Sequence, residues 1–377
     1  MTDTFHHRFL EPLDVLFLRG NKLFGDPGSF GESLVPPWPS VAAGALRSAM
    51  LAREGIDPAA FAQGMTSHPT LGTPREPGSF AIVGLTLARR AADASVESMH
   101  ALPADLVAET DGDGRVRDLR RLTPVAPAAG LMSSAPLPRW PVLAQGYRGK
   151  PAAGVWLTQA GWVEYLAGRI PRAEQTLTSA NLWSVDPRVG VGLDTVKRRA
   201  ADRQLFTVQA VALQPGVGFL ATVAGSEPPS GGVLRFGGDG RGAALTTPRH
   251  RSAGADLSAI ARAGRARVVL TTPGLFADGW CIPGTDVDMR VQWPGLSARL
   301  VCAAVPRADV VSGWDLAARQ PKTAERAAPA GSVYWLDDLE ATPEALRKLA
   351  ERGLWPDDHQ NTQRRAEGFN RFTFAAW

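Results

Sequence analysis

Hydrophobic positions along the chain recur with two periods, and the change from one to the other marks out strands and helices. Arg8 to Arg19 carries Phe9, Leu13, Val15, Leu16, Phe17 and Leu18, which predicts a strand with at least one buried face. A loop rich in Gly and Pro, Gly25 to Pro39, follows it. Ser40 then stands where a helix cap is wanted, and Val41, Ala45, Leu46, Ala49 and Met50 recur at helical spacing until Gly55 stops them. Strand-like runs at Phe80 to Leu87 and Ala104 to Ala108 come next, and Asp111-Gly112-Asp113-Gly114 reads as a turn into Arg115 to Leu122. From Pro124 to Pro151 the chain is dense in Pro, Gly and Ala without periodicity, which predicts an irregular excursion. Thr158 to Ala167 predicts a second helix that buries Trp162, Tyr165 and Leu166 and ends at Gly168.

Leu205 to Leu213 alternates Phe206, Val208, Ala210 and Ala212 against Thr207 and Gln209. Val217 to Val223 behaves alike, so the two read as neighbouring half-buried strands. Further strands are predicted at Gly232 to Phe236, Arg267 to Thr272, Arg299 to Val305 and Ser332 to Leu336. A helix at Thr342 to Arg352 has Pro343 in its first turn and Gly353 beyond its end. The elements before residue 200 supply the parts of a ferredoxin-like βαββαβ domain, and those after it a second mixed domain. The expected class is therefore α+β, divided as 1–200, with insertions at about 55–80 and 124–151, and 201–377, with a glycine-rich loop at 231–243.

Composition agrees with two folded domains. At 377 residues, 44% hydrophobic and 21% charged, the chain exceeds one ordinary core and is not a disordered composition. No apolar run reaches the length of a membrane span and the first residues are polar, so the expected location is the cytoplasm, with no membrane partner. Cys281 and Cys302 lack CxxC spacing and paired histidines, so neither a zinc site nor a disulfide framework is expected, nor any cofactor. The net charge is only +4, but of the 41 cationic residues just Lys22, Lys150, Lys197, Lys322 and Lys348 are lysine. Arginine grips phosphate with a planar donor fork and stacks on bases. Coding bias gives the same preference, so the arginines permit nucleic acid without requiring it.

Three segments carry chemistry. In the helix read over Pro36 to Arg47, Gly44 costs about 1 kcal/mol relative to Ala, which suits close approach of a backbone or ligand beside Arg47 as well as plain helix-on-sheet packing. Gly231 to Gly242, reading GGVLRFGGDGRG, is glycine-rich with two arginines after a strand. It lacks Gly-Lys-Ser/Thr and is not a dinucleotide fingerprint, so it is either a phosphate-approaching loop or a flexible turn. Asp186 to Arg199 gathers Arg188, Lys197, Arg198 and Arg199 at a domain junction, as an interface or as a solvated connector.

In this order and at these separations the segments resemble the RAMP superfamily, specifically the third subunit of the type III-B CRISPR Cmr effector complex. The resemblance also rests on Glu11-Pro12-Leu13-Asp14 with Phe17-Leu18-Arg19, Trp156-Leu157-Thr158 leading to Tyr165-Leu166, and Arg188-Val189-Gly190 leading to Leu205-Phe206. Later parts are Phe236 to Arg241, Thr272 to Phe276 with Gly279-Trp280, Ser312 to Asp315, Pro329 to Tyr334 and the tail Glu367-Gly368-Phe369-Asn370. The resemblance implies two ferredoxin-like, RRM-related modules in tandem with loop insertions. It implies a non-catalytic subunit, one copy per complex, that holds the 5′ handle of the guide RNA (crRNA). It implies docking against a large polymerase-like subunit and a backbone RAMP subunit. Arg19, Arg47, Arg198, Arg199 and Arg241 become expected phosphate contacts, with Gly237, Gly238, Gly240 and Gly242 allowing backbone approach. Asn370 departs from the pattern, which has a second glycine in the tail.

Some RAMP relatives cleave repeat RNA with a histidine. His6, His7, His68, His100, His250 and His359 are scattered, and His250, between Arg249 and Arg251, is the one such candidate of interest. No HExxH, GxSxG or HD motif occurs, and Asp286 and Asp288 are the only carboxylates read as sharing a strand face. A metal-independent repeat-processing endoribonuclease and a purely protein-bridging subunit are the two rival readings. Trp38, Trp280, Trp314 and Trp377 are candidates to stack a base.

Overall fold

The computed structural model describes residues 4–20, 30–144, 150–194, 196–315, 318, 320–356 and 361–377, with no side-chain description for 30 and 201–204. The chain forms two compact units, each assembled from three separated segments. The first unit comprises Met1–Val96, Ala180–Arg249 and Val310–Glu325; the second comprises Glu97–Ser179, His250–Asp309 and Arg326–Trp377. The boundary expected near residue 200 falls inside the strand Arg199–Leu213 of the first unit.

The first unit is built on antiparallel strands in the order Ala81–Arg90, Val217–Ala224, His6–Pro12, Gly242–Thr246, Gly231–Arg235. His6–Pro12 lies at the centre because its apolar residues are consecutive: Phe9 and Leu10 point to opposite faces and both are fully buried. Phe9 packs with Ala88, Val96 and Leu220. Burying three or four such side chains contributes roughly 1.5–3 kcal/mol each. Arg8 beside it is also buried, and its guanidinium donates to the carbonyls of Pro228 (2.6 Å) and Pro229 (2.7 Å). The helix Pro39–Arg53 packs along Ala81–Arg90 through a face of Ala42, Ala43, Leu46 and Met50, small enough for close approach.

From this unit runs a long ribbon, Trp183–Asp194 against Arg199–Leu213, with the short strand Phe30–Gly31 pairing parallel to the second at Thr207 and Val208. Its root is fixed by a reciprocal pair of 2.8 Å backbone bonds between Leu16 and Val211, and by Ser33, whose hydroxyl donates to the Gln209 carbonyl at 2.6 Å. Gly190 faces Phe206 across the ribbon, and a Cβ at 190 would stand 2.4 Å from the Phe206 ring. The ring therefore covers the glycine and takes the place of the missing side chain.

In the second unit the antiparallel order is Arg290–Trp293, Leu296–Ala304, Val333–Ala341, Ala266–Leu270, Phe372–Ala375. One face carries Val268, Leu270, Leu300, Tyr334, Leu336 and Phe374, with Leu346 and Leu349 of the helix Pro343–Arg352 against them. The other carries Val269, Cys302, Val333 and Trp335 and meets Trp162 and Tyr165 of the helix Gln159–Leu166. Arg267 and Asp105 are both wholly buried within this second layer. Tyr165 donates to one Asp105 oxygen (2.8 Å) and Arg267 to the other (2.5 Å), while Arg267 also donates to the carbonyls of Tyr165 and Ala376, each at 2.9 Å. Burial and the Asp105 carboxylate hold the Tyr165 phenol well above its ordinary pKa. Such a network is tolerated because its charges are paired and bonded on several sides.

Several expectations change. The first strand stops at Pro12 and the chain to Arg19 is irregular. Ser40 does not cap its helix; Pro39 begins it and Trp38 precedes it with no side-chain cap bond. Leu205 to Leu213 and Val217 to Val223 are not partners, since the first pairs within the ribbon and the second with His6–Pro12 and Ala81–Arg90. Gly44 is exposed, with nothing within 4 Å of a Cβ built on it, so close approach does not explain it and nothing else in the structure does. Asp286 and Asp288 sit in a turn in which the Asp286 carboxylate accepts from the amides of Asp288 and Arg290, not on a strand face. Asn370 replaces the expected glycine because its φ of +59° is within reach of asparagine, and its amide donates to the Leu354 carbonyl (2.9 Å) while its oxygen accepts from Leu275 (2.6 Å). Lys22 and the start of the loop after Arg19 lie outside the described residues.

Candidate nucleic-acid interface

The glycine-rich segment is a hairpin. Gly231–Arg235 and Gly242–Thr246 pair in register from Gly231↔Thr246 to Arg235↔Gly242, and Phe236 donates to the Arg241 carbonyl at 2.8 Å. Asp239 (φ +56°) and Gly240 (φ +62°) occupy its two central positions, the signature of a type I′ turn, closed by Arg241 donating to the Gly238 carbonyl at 3.3 Å. Between turn and strand, Gly237 has φ +78°, and a Cβ there would lie 2.9 Å from the Phe17 carbonyl oxygen. Gly238 donates its amide to that same carbonyl at 2.8 Å. Glycine is thus required at 237 by both conformation and space. The hairpin sits on the irregular stretch Leu13 to Arg19, and Leu13 donates to the Gly242 carbonyl at 3.0 Å.

Two of the expected arginines meet here. The Arg241 guanidinium lies 5.2 Å from the centre of the Phe17 ring, and its Nη1 donates to Asp14 Oδ2 at 2.7 Å. Arg19 is exposed, and its Nε would lie 4.0 Å from a Cβ built at Gly238. Arg19, Arg241, Gly237, Gly238, Gly240 and Gly242 therefore form one cluster, with Phe17 beneath it. Among the described residues, the amides of Asp239 and Gly240 at the tip donate to no backbone carbonyl.

The other expected contacts lie elsewhere. Arg47 is half-buried on its helix and covers the Phe80 ring at 5.2 Å. Arg198, at φ +50°, and Arg199 are exposed at the free end of the ribbon. Eight residues of strand separate Arg199 from Thr207, where Phe30–Gly31 pairs with the ribbon, about 26 Å at roughly 3.3 Å per residue. The ribbon between them is unusually apolar for an exposed surface: Val189, Leu193 and Leu205 are 69%, 69% and 58% exposed. The segment Asp186 to Arg199, which reads in sequence as a junction, is thus one arm of this ribbon and its tip. The alternation Val185, Val189, Val191, Leu193 is the available signal of a strand, and these residues are exposed among the described residues.

His250 acts on a neighbour of known environment. His100 is half-buried against Trp162, ring centres 4.2 Å apart and nearly parallel, and bonds to the Ser98 hydroxyl at 2.9 Å. Burial first, and then the nearby His250, lower its pKa to about 3. Of the tryptophans, Trp38 is buried, Trp280 half-buried, Trp314 is 58% exposed on the short hairpin Trp314–Asp315 with Gln320–Pro321, and Trp377 is flanked by Arg139 and Arg265. Burial raises the pKa of Cys302 to about 12, which suits an inert core thiol.

A family model described as "CRISPR-associated protein (Cas_Cmr3)" matches residues 8–377. No curated protein matches the chain. Among solved structures, a chain of a cryo-EM structure of the type III-B Cmr-beta bound to cognate target RNA and AMPPnP, state 1, is similar at 13% identity and a TM-score of 0.51, over 97% of this chain and 95% of that one. A chain of the Cmr-beta structure bound to cognate target RNA alone gives the same identity and TM-score over 97% and 96%. At that identity the likeness concerns the fold.

Proposed function

From the premise that this chain belongs to the Cas_Cmr3 family of CRISPR-associated proteins, we propose that it is the non-catalytic subunit of a type III-B effector that holds the 5′ handle of the guide RNA. The observation that carries the reading is the seating of the glycine hairpin on Leu13 to Arg19, which gathers Arg19 and Arg241 beside turn amides that donate to no backbone carbonyl among the described residues. Donors of this kind position a phosphate backbone without reading its bases. The fold supports the same reading. In each unit four strands follow the spatial order fourth, first, third, second, as in ferredoxin-like and RRM modules. They are Gly242–Thr246, His6–Pro12, Val217–Ala224, Ala81–Arg90 in one unit, and Phe372–Ala375, Ala266–Leu270, Val333–Ala341, Leu296–Ala304 in the other.

The ribbon adds a second RNA-facing element. Its apolar face and cationic tip suit insertion against splayed bases with Arg198 and Arg199 on phosphates. The large polymerase-like subunit and a backbone RAMP subunit are the partners this role requires, with one copy of the chain per complex in the cytoplasm. Arg198→Ala with Arg199→Ala is expected to weaken binding of a handle RNA and to lower the slope of log K against log salt by about 0.7 for each phosphate no longer held. An unchanged slope removes those two residues from the interface. Metal-independent cutting of repeat RNA by the purified chain, abolished by His250→Ala, would establish the nuclease reading instead.

A further inference from the structure

The second unit carries a polar groove that the handle reading does not use. It is an open cavity of about 750 Å³ over one edge of the five-stranded sheet. Arg290 and Arg299 are register partners on neighbouring antiparallel strands, so their side chains stand on the same face. Directly opposed Cβ atoms lie about 4.5–5.5 Å apart, and like charges so placed are destabilising. Both are exposed, and among the described residues neither guanidinium forms an ion pair. The carboxylate opposite Arg299 in register, Asp337, is engaged by Arg139 at 3.2 Å instead. The sheet thus holds two cations together in a solvent-filled groove with acids nearby that do not neutralise them.

The rest of the lining selects among anions. Asp288, Asp338 and Glu340 border the groove, and Ser297 donates to Glu340 at 3.3 Å. Three carboxylates repel a run of phosphates, which excludes the interior of an RNA strand. They accept hydrogen bonds from hydroxyl groups, and two arginine forks on one sheet face suit the oxygens of one phosphoryl group. We propose that this groove binds a single ribonucleotide unit, its phosphoryl group held by Arg290 and Arg299 and its ribose hydroxyls donating to the bordering carboxylates. The unit is either a free mononucleotide or the 5′-terminal nucleotide of an RNA, because both present a terminal phosphoryl group and a free 2′-hydroxyl.

The test is calorimetric titration of the full chain at low salt with adenosine 5′-monophosphate, inorganic phosphate, the 2′,3′-dideoxy nucleotide and a 5′-phosphorylated tetranucleotide RNA. Saturable binding of the monophosphate is expected, weakened tenfold or more by Arg290→Gln and by Arg299→Gln. Inorganic phosphate and the dideoxy nucleotide are expected to bind at least tenfold more weakly than the monophosphate, and Glu340→Gln to weaken only ligands that carry the ribose hydroxyls. Both arginines are exposed and their like charges oppose each other, so their glutamine variants are expected to melt no lower than the parent. The tetranucleotide binding like the monophosphate identifies an RNA end as the source, and its failure to bind identifies a free nucleotide. Absence of saturable binding, indifference to both arginine substitutions, or equal affinity for inorganic phosphate overturns the proposal. Arg241→Ala is expected to leave mononucleotide binding unchanged while weakening handle RNA, so failure here and failure of the handle reading are read separately.

Discussion

Arg241 is held by Asp14, and that pair decides whether the guanidinium is a brace or a ligand contact. The 2.7 Å bond joins a side chain 29% exposed to one 62% exposed. An ion pair this open to water contributes about 0.2–1 kcal/mol. The Phe17 ring beneath Arg241 adds roughly 0.5–1 kcal/mol. Arg241→Ala should therefore cost about 1–2 kcal/mol in a denaturant melt, and Asp14→Ala less than about 1 kcal/mol. Binding separates the two roles more sharply. A charge-assisted hydrogen bond to phosphate is worth roughly 1.5–3 kcal/mol, so Arg241→Ala should weaken handle RNA by about tenfold or more. Asp14→Ala releases the guanidinium and removes a negative charge beside the phosphate, so it should tighten binding a few fold. In the Arg241→Ala background the same Asp14 substitution should have a smaller effect, and the cycle measures the difference by fluorescence anisotropy at fixed salt. If Asp14→Ala weakens RNA binding as much as Arg241→Ala does, the arginine only braces the loop and the assignment is refuted.

Two further predictions concern the second unit. Asp105→Ala leaves Arg267 buried without its carboxylate and should cost about 3–5 kcal/mol, read as a lowered urea midpoint at unchanged slope; a cost under about 1 kcal/mol would show that the network is not what holds this layer. His100 is neutral in the folded chain, with a pKa lowered to about 3, while the unfolded histidine takes a proton near 6.5. Its contribution is complete above pH 6.5 and is lost as pH falls toward 3, at about 1.4 kcal/mol per unit. Between pH 6.5 and 5 the parent should lose about 2 kcal/mol more stability than His100→Gln, and parallel pH profiles would contradict the assignment.

The legible parts of the fold were those fixed by local chemistry. Thr158 and Thr342 cap their helices through side-chain bonds to Gly161 and Ala345, and both helices are legible, the first from its buried stripe and Gly168, the second from Pro343 and Gly353. Ser40 failed because Pro39 and Trp38 bring the chain into its helix without a cap bond. Strand partners were illegible, since Leu205 to Leu213 and Val217 to Val223 share a pattern but pair in different sheets. A period of two shows that a strand has two unlike faces and says nothing of its neighbour. The units themselves, each drawn from three distant segments, leave no compositional mark at their boundaries.

The site divided in the same way. The glycines at 237 to 242 were found from their density, and the structure supplies their reason in the type I′ turn and the contact of Gly237 with Phe17. Arg19 and Arg241 converge only through long-range pairing of His6–Pro12 with Gly242–Thr246. Arg47 reads as equivalent in sequence but lies on its helix over the Phe80 ring, apart from this cluster. The partnership of Arg241 with Asp14, across 227 positions, had no local signal at all.

The most direct test is photocrosslinking of the assembled effector, with a reactive base placed at each position of the guide's 5′ handle and adducts mapped by mass spectrometry. The account predicts adducts on Leu13 to Arg19 and on the hairpin from Phe236 to Gly242, abolished in Arg19→Ala with Arg241→Ala. Handle adducts confined to other subunits, with this chain present and intact, would contradict it.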